Sequence, residues 1–538
     1  MPAILTVFPR HACSKTPCIL RADWRRHPMT LISKTLTALL FAILTLPLSA
    51  LAAEEQKAPP EKPEIPEAKT FTSEHEISVQ GSRVRYTATA GTLLLRDAKG
   101  EVVAEYGYTY YQKNGADPVT RPIMFAWNGG PGSASMWLHM GVLGPQRTVV
   151  DDLEINGSGP FRRVENTYSI IDMVDLVMVD PVGTGYSIAA GEAEGKDFWG
   201  VDNDIRTVTD FIAQFISENG RWSSPKFILG ESYGGMRAGG VSYDLLTRYN
   251  IALNGAILVS PYMDMAGGGG VGVANMAIGY TMTLSGYAAT AWFHEALENR
   301  PADLRSFIAE VDEFATGEYL TVMVRGARAS EQERRAVAEK LGAYTGTSAD
   351  YWLAANLRVT EGQFVAELLR KRGQLAGRID SRFANYTTDP LAEGMPYDPY
   401  MSSVGPAFVA TFKDYYSQQL GVKMDRPYVV SGRLWRDWTG NHRHPGSQWA
   451  SPVADTGIDL AHAIIRNPDM KVLVQQGYYD LATPVRATEY FIDQMPLPDS
   501  LRDNVRIEYY EAGHMMYVHP PSLEKYREDL ATFIADAL

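Results

Sequence analysis

Cysteine is almost missing from this chain: its 538 residues hold two, Cys13 and Cys18. Both precede a candidate cleavage site at Ala50-Leu51-Ala52, so the processed chain is expected to contain none. That excludes a disulfide framework, a cysteine nucleophile and a cysteine-linked lipid anchor. Positive charge is scarce too. Without residues 1–52 the chain carries 44 basic and 62 acidic residues, a net charge of −18. Such a surface argues against nucleic acid or anionic lipid as a partner. Long apolar runs are also lacking. The run LTALLFAILTLPLS is too short to span a bilayer comfortably, so no integral membrane span is expected after cleavage. No internal repeat is apparent.

What is present begins with that same run. Residues 1–28 form an N-terminal extension without a clear pattern. Residues 29–52 read as a secretory signal: Lys34 in a short basic region, the apolar run, then the A-x-A site. The expected destination is the periplasm or the exterior. Residues 53–70 contain EEQKAPPEKPEIPEAK, whose Pro, Glu and Lys cannot bury a core and mark a linker. The remaining length exceeds what one core usually organises, so two structural units are expected.

Hydrophobic periodicity divides that remainder. HEISVQ, SRVRYTATAGTLLL and EVVAEYGYTYYQ alternate with a period of two and are rich in β-branched and aromatic residues, as antiparallel strands are. Continuous apolar runs follow, each ending in a glycine-rich or acidic loop: PIMFAW before NGGPG, DLVMV before DPVGTG, KFILG before Ser232, then GAILVSP. Runs of this kind fit a parallel sheet covered on both faces. From 266 to 437 the pattern changes to a glycine-rich entry and amphipathic helices such as EQERRAVAEKLGAY and GQFVAELLRKRGQLAG. KVLVQQ and VRIEYY then resume the sheet, and LEKYREDLATFIADAL closes with a helix. The expected fold is an α/β-hydrolase: a mostly parallel central sheet with helices on both faces. Its core is expected at 71–265 and 438–538, with a mainly helical lid inserted at 266–437.

Within this frame FILGESYGG, residues 227–235, has the spacing G-x-S-x-G around Ser232. A chain with 47 glycines can produce that spacing by chance, so the meaning lies in the surroundings. A serine hydroxyl is a poor nucleophile until a base takes its proton and a third group orients the base. On this fold the partners follow in the order Ser, acid, His, on loops after later strands. Asp480 lies four residues beyond KVLVQQ and His514 four beyond VRIEYY. Upstream, WNGGPGSAS places consecutive glycines directly after a strand, where a second oxyanion donor is expected. His139 is expected on a helix after NGGPG, and His519 in a loop before two prolines. His442 and His444 form an H-x-H, but no carboxylate cluster or cysteine adjoins them in sequence, so neither a metal nor a cofactor is expected.

WNGGPGSAS, VDPVGTGYS, GESYGG, the aspartate after KVLVQQ and GHMMY together resemble the serine carboxypeptidases, in that family's order and with its large insertion before the aspartate. The resemblance spans roughly 75–538 and suggests a bacterial-type member. It implies that Ser232 is the nucleophile, His514 the base and Asp480 its orienting acid. It further implies that the N–H groups of Gly130 and Tyr233 form the oxyanion hole. Asn128, Gly129 and Glu231 would then bind the C-terminal carboxylate of a peptide substrate. Ser133 and Thr483 stand where many relatives have cysteine. Val142 stands where many have a second glutamate, which bears on carboxylate recognition. The expected activity is release of C-terminal residues from peptides. The alternative is an esterase or acyltransferase with the same triad.

Overall fold

In the computed structural model the described residues are 65–155, 157–265 and 277–538. The expected signal segment, the extension before it and the glycine-rich stretch 266–276 lie outside them.

The sheet opens with three antiparallel strands, β1 (Thr70–Val79), β2 (Ser82–Arg96) and β3 (Val102–Lys113). Gln80 and Gly81 join the first two at φ 48° and 76°, the left-handed pair that a tight two-residue hairpin requires. The apolar runs become β4 (Ile123–Trp127), β5 (Asp175–Asp180), β6 (Lys226–Glu231), β7 (Gly255–Val259), β8 (Lys471–Gly477) and β9 (Val505–Tyr510). Their order across the sheet is β1-β2-β3-β5-β4-β6-β7-β8-β9, and from β5 onward every neighbouring pair is parallel.

Continuous apolar sequence is required in β4 to β7 because these strands are buried on both sides. The edge strand β9 is only partly buried and carries Arg506 and Glu508. Alternate residues of a strand point to opposite faces. Phe227, Leu229, Ile257, Val259 and Leu473 join one apolar cluster, and Ile228, Ala256, Leu258, Val472 and Val474 join the other. Helices α1 (Val201–Glu218) and α2 (Tyr233–Tyr249) cover the second face through Ile205, Phe211, Met236 and Val241. On the first face, Phe408 and Leu530 come from helices 399–414 and 520–536. The expected fold class is therefore present.

The segment between β7 and β8 is mainly helical and builds an apolar cluster of its own around Tyr287, Phe314, Leu341, Trp352 and Phe364. Leu481, next to Asp480, belongs to that cluster. One expected helix is shorter than its sequence suggests. GQFVAELLRKRGQLAG is helical only as Glu361–Leu368, followed by a 3-10 turn over Arg370–Arg372. Gly373, at φ 66°, ends the turn in a left-handed conformation that stops helices, and Gln374–Ala376 continues as a short strand.

Candidate active site

Ser232 occupies the sharp turn between β6 and α2. Its φ of 62° and ψ of −129° lie in a region that costs a non-glycine residue about 1–3 kcal/mol. The turn is tight because Gly230 and Gly234 lack side chains. A Cβ on Gly230 would fall 2.0 Å from the Gly234 carbonyl oxygen. Three hydrogen bonds hold the strained residue: its N–H donates to Val259, and its carbonyl accepts from Gly235 and Tyr262. Ser232 itself is only partly buried.

Asp480 and His514 follow β8 and β9, at the same C-terminal edge of the sheet. His514 Nδ1 lies 2.7 Å from Asp480 Oδ2, with Asp480 fully buried. The other carboxylate oxygen accepts from the backbone N–H groups of Ala482 (2.8 Å) and Thr483 (2.9 Å). The Thr483 hydroxyl donates to Oδ2 at 2.6 Å. A carboxylate held by this many donors is fixed in direction, which sets the ring of His514. Burial pulls the His514 pKa down, but Asp480 and Glu231 together outweigh it and the net shift is upward. The end of β7 ties these parts together. Val259 accepts from the Ser232 N–H, and the next residue, Ser260, donates its hydroxyl to the His514 carbonyl at 2.8 Å.

The loop after β4 closes the other side. Gly129 is pressed against the turn, since a Cβ there would lie 2.5 Å from the Tyr233 nitrogen. Gly130 is exposed at φ 108°. Tyr233 is the first residue of α2, a position whose N–H has no intrahelical acceptor. Asn128 Nδ2 donates to Glu231 Oε1 at 2.8 Å, and the Leu138 N–H donates to Asn128 Oδ1 at 3.1 Å, which fixes the amide orientation. The loop is anchored from below by buried Arg237. Its Nη1 donates to the Asn128 carbonyl at 2.9 Å, and its Nε pairs with buried Asp204 at 2.8 Å. All eight residues singled out from the sequence thus lie in one neighbourhood.

Sequence reasoning missed Tyr517. Its hydroxyl donates to Glu231 Oε2 at 2.7 Å. Its ring packs on Gly141, where a Cβ would fall 2.3 Å from Cε2. Val142, the next residue, is buried. Glu231 therefore has an amide and a phenol as its partners. Burial raises its pKa to about 7, against the opposing influence of His514 and these two hydrogen bonds. Tyr517 was visible in GHMMY, but nothing in one sequence pairs it with a residue nearly three hundred positions earlier. His139 lies in a π-turn, His139–Leu143, where its Nε2 meets the Tyr111 hydroxyl at 2.6 Å in the buried core. His519 is at the start of the last helix, with Nδ1 2.8 Å from the Ser522 hydroxyl.

Residues 97–307 match the family model described as Serine carboxypeptidase. Serine carboxypeptidase-like 16 of Arabidopsis thaliana is 27% identical over 31% of this chain and 39% of its own length. Pheromone-processing carboxypeptidase KEX1 of Saccharomyces cerevisiae is 32% identical over 27% of this chain and 20% of its own length. These alignments therefore span well under half of either relative. The crystal structure of the KEX1 prohormone-processing carboxypeptidase from Saccharomyces cerevisiae superposes with a TM-score of 0.50 at 15% identity, covering 84% of this chain and 92% of that one. That likeness is one of fold.

Proposed function

We propose that this chain, a member of the serine carboxypeptidase family, is an exported hydrolase that releases C-terminal residues from peptides through Ser232, His514 and Asp480. The observation that carries the reading is the buried 2.7 Å contact between His514 and Asp480 on the same sheet edge as the strained Ser232 turn. His514 takes the Ser232 proton as Oγ attacks the scissile carbonyl carbon. The carbonyl oxygen gains the negative charge and accepts from the N–H groups of Gly130 and Tyr233. His514 then passes its proton to the leaving amine, and the C–N bond breaks. Water, activated by the same imidazole, cleaves the acyl-enzyme and restores Ser232.

Carboxypeptidase selectivity rests on Glu231, Asn128 and Gly129. A neutral Glu231 donates a hydrogen bond to the substrate carboxylate, and the second amide hydrogen of Asn128 adds another. The raised pKa of Glu231 supports this role. Export is supported by the signal-like pattern at 29–52, and among the described residues no helix is long and apolar enough to cross a membrane.

The second reading keeps the triad and changes the substrate to an ester, or the acceptor to a small alcohol. Buried Val142 favours it, because it brings no second carboxyl group to the side of Glu231. Turnover of a free-acid peptide, its C-terminal amide and a simple ester separates the two. Preference for the free acid supports the carboxypeptidase. Equal turnover of amide and acid, with faster ester cleavage, supports the alternative.

A further inference from the structure

The H-x-H pair has carboxylate neighbours that the sequence does not reveal. His442 and His444 sit two residues apart on an extended segment, and His442 bridges antiparallel to Ser451. That spacing puts both rings on one face, with centroids 4.7 Å apart. His442 Nε2 is 2.8 Å from Asp459 Oδ2, and His442 Nδ1 is 2.6 Å from Asp202 Oδ1. Asp202 comes from the first turn of α1, and Asp459 from the first turn of helix Gly457–Arg466. His444 Nδ1 is buried and has no hydrogen-bond partner. One ligand atom from each of His442, His444 and Asp459 falls within 4.8 Å of the other two.

We propose that His442, His444 and Asp459 form a binding site for a divalent transition metal ion of the zinc type. Two imidazole nitrogens and one carboxylate make a borderline donor set that suits Zn²⁺ far better than Ca²⁺ or Mg²⁺, which prefer all-oxygen cages. In a tetrahedral site with bonds of ~2.0 Å the ligand atoms stand roughly 3.3 Å apart. The His442–Asp459 pair is close to that spacing, and partly exposed His444 can supply the remaining contraction. Asp202 serves as the outer carboxylate that accepts from Nδ1–H and orients the His442 ring, an arrangement typical of zinc-bound histidine. Binding replaces a proton on His442 Nε2, which leaves to solvent. Asp455 lies close enough to His444 and Asp459 to interact electrostatically with both.

The site has a structural consequence. Just before it, Trp438 packs edge-on against the ring of Tyr233 at 5.3 Å, and the Val201 N–H donates to the Thr439 carbonyl. Further upstream, the Ala134 N–H donates to Val430 and the Gly432 N–H to Gly132. An ion at His442 and His444 fastens this buttress of the glycine loop to two core helices.

The test uses the processed protein, stripped with a chelator and titrated with Zn²⁺ alone, with Ca²⁺ as the comparison. About one equivalent of Zn²⁺ should bind, raise the melting temperature and protect residues 434–456 from proteolysis. His444→Ala removes a ligand that makes no hydrogen bond through Nδ1, so it should fold normally and bind roughly tenfold more weakly or worse. Asp459→Asn is the second variant and should also lose binding. Failure of the wild type to bind, equal binding by His444→Ala, or a preference for Ca²⁺ each overturns the site. His442 would then be an imidazolium held between two carboxylates and nothing more.

Discussion

Ser232 is strained, partly exposed and held by backbone hydrogen bonds that survive loss of its side chain. Ser232→Ala should therefore leave the melting temperature nearly unchanged while lowering kcat by about 10⁴-fold or more. His514→Ala should match it, and the double variant should be little worse than either. Multiplying losses would show that the two do not act as one unit. The pH profile turns on Glu231. Its carboxyl is useful when neutral, below about 7, whereas His514 must be neutral to act as base, above its own raised pKa. For free-acid peptides kcat/KM should form a bell that falls on the alkaline side as Glu231 ionises. An ester substrate should lose only the alkaline limb. Glu231→Gln should lift that limb for peptides and leave ester hydrolysis nearly unchanged. An unmoved peptide profile would remove Glu231 from carboxylate recognition. Stability carries the same sign. Burial lifts the Glu231 pKa from 4.5 to about 7, so the folded state retains a proton that the unfolded state releases as pH rises between these values. Its destabilising effect should grow up to about 3 kcal/mol by pH 8. Urea titrations of the wild type and Glu231→Gln should diverge in the variant's favour over that window.

At the scale of elements, α1 and α2 meet through the buried Arg237–Asp204 pair, and Arg237 also holds the carbonyl of Asn128. Removing one partner leaves an uncompensated buried charge. Arg237→Ala should cost about 3–5 kcal/mol in denaturant unfolding, whereas Arg237→Met with Asp204→Leu should recover most of it. The double variant still lacks the donor to Asn128, so its kcat/KM should stay low although its stability returns. Recovery of both together would mean that the pair matters only as a packing contact. The same scale explains the shortened helix at Glu361–Leu368. Its apolar spacing continues past the end, but Gly373 favours a left-handed backbone, and Gln374–Ala376 pairs with Ala384–Tyr386 instead.

At the scale of the whole molecule, one sheet gathers the candidate site at its C-terminal edge, while residues 284–376 between β7 and β8 supply a separate apolar cluster. Leu481 joins that cluster directly beside Asp480, so packing in the helical segment bears on the direction of the Asp480 carboxylate. Export with cleavage after residue 52 makes a chemical prediction. Thiol titration of the denatured exported protein should find no cysteine, because both lie earlier in the chain. Recovery of both thiols would mean that residues 1–52 remain attached.

The sequence by itself determined the strand runs, their parallel character and the neighbourhood of the candidate site. Those properties are local: an apolar run buried on both faces is written in consecutive residues, and Ser232, Asp480 and His514 each follow a strand-forming run within a few residues. Even the turn at Ser232 could be read, because its tightness depends on two glycines within five residues. Only the tertiary structure decided what depends on distant pairs. Tyr517 meets Glu231, Arg237 meets Asn128, and Asp202 and Asp459 meet His442 because neighbouring strands return their loops to one edge and helices pack across sequence gaps. A carboxylate's partners set its charge and direction, and those partners are chosen by packing rather than by adjacency in the chain.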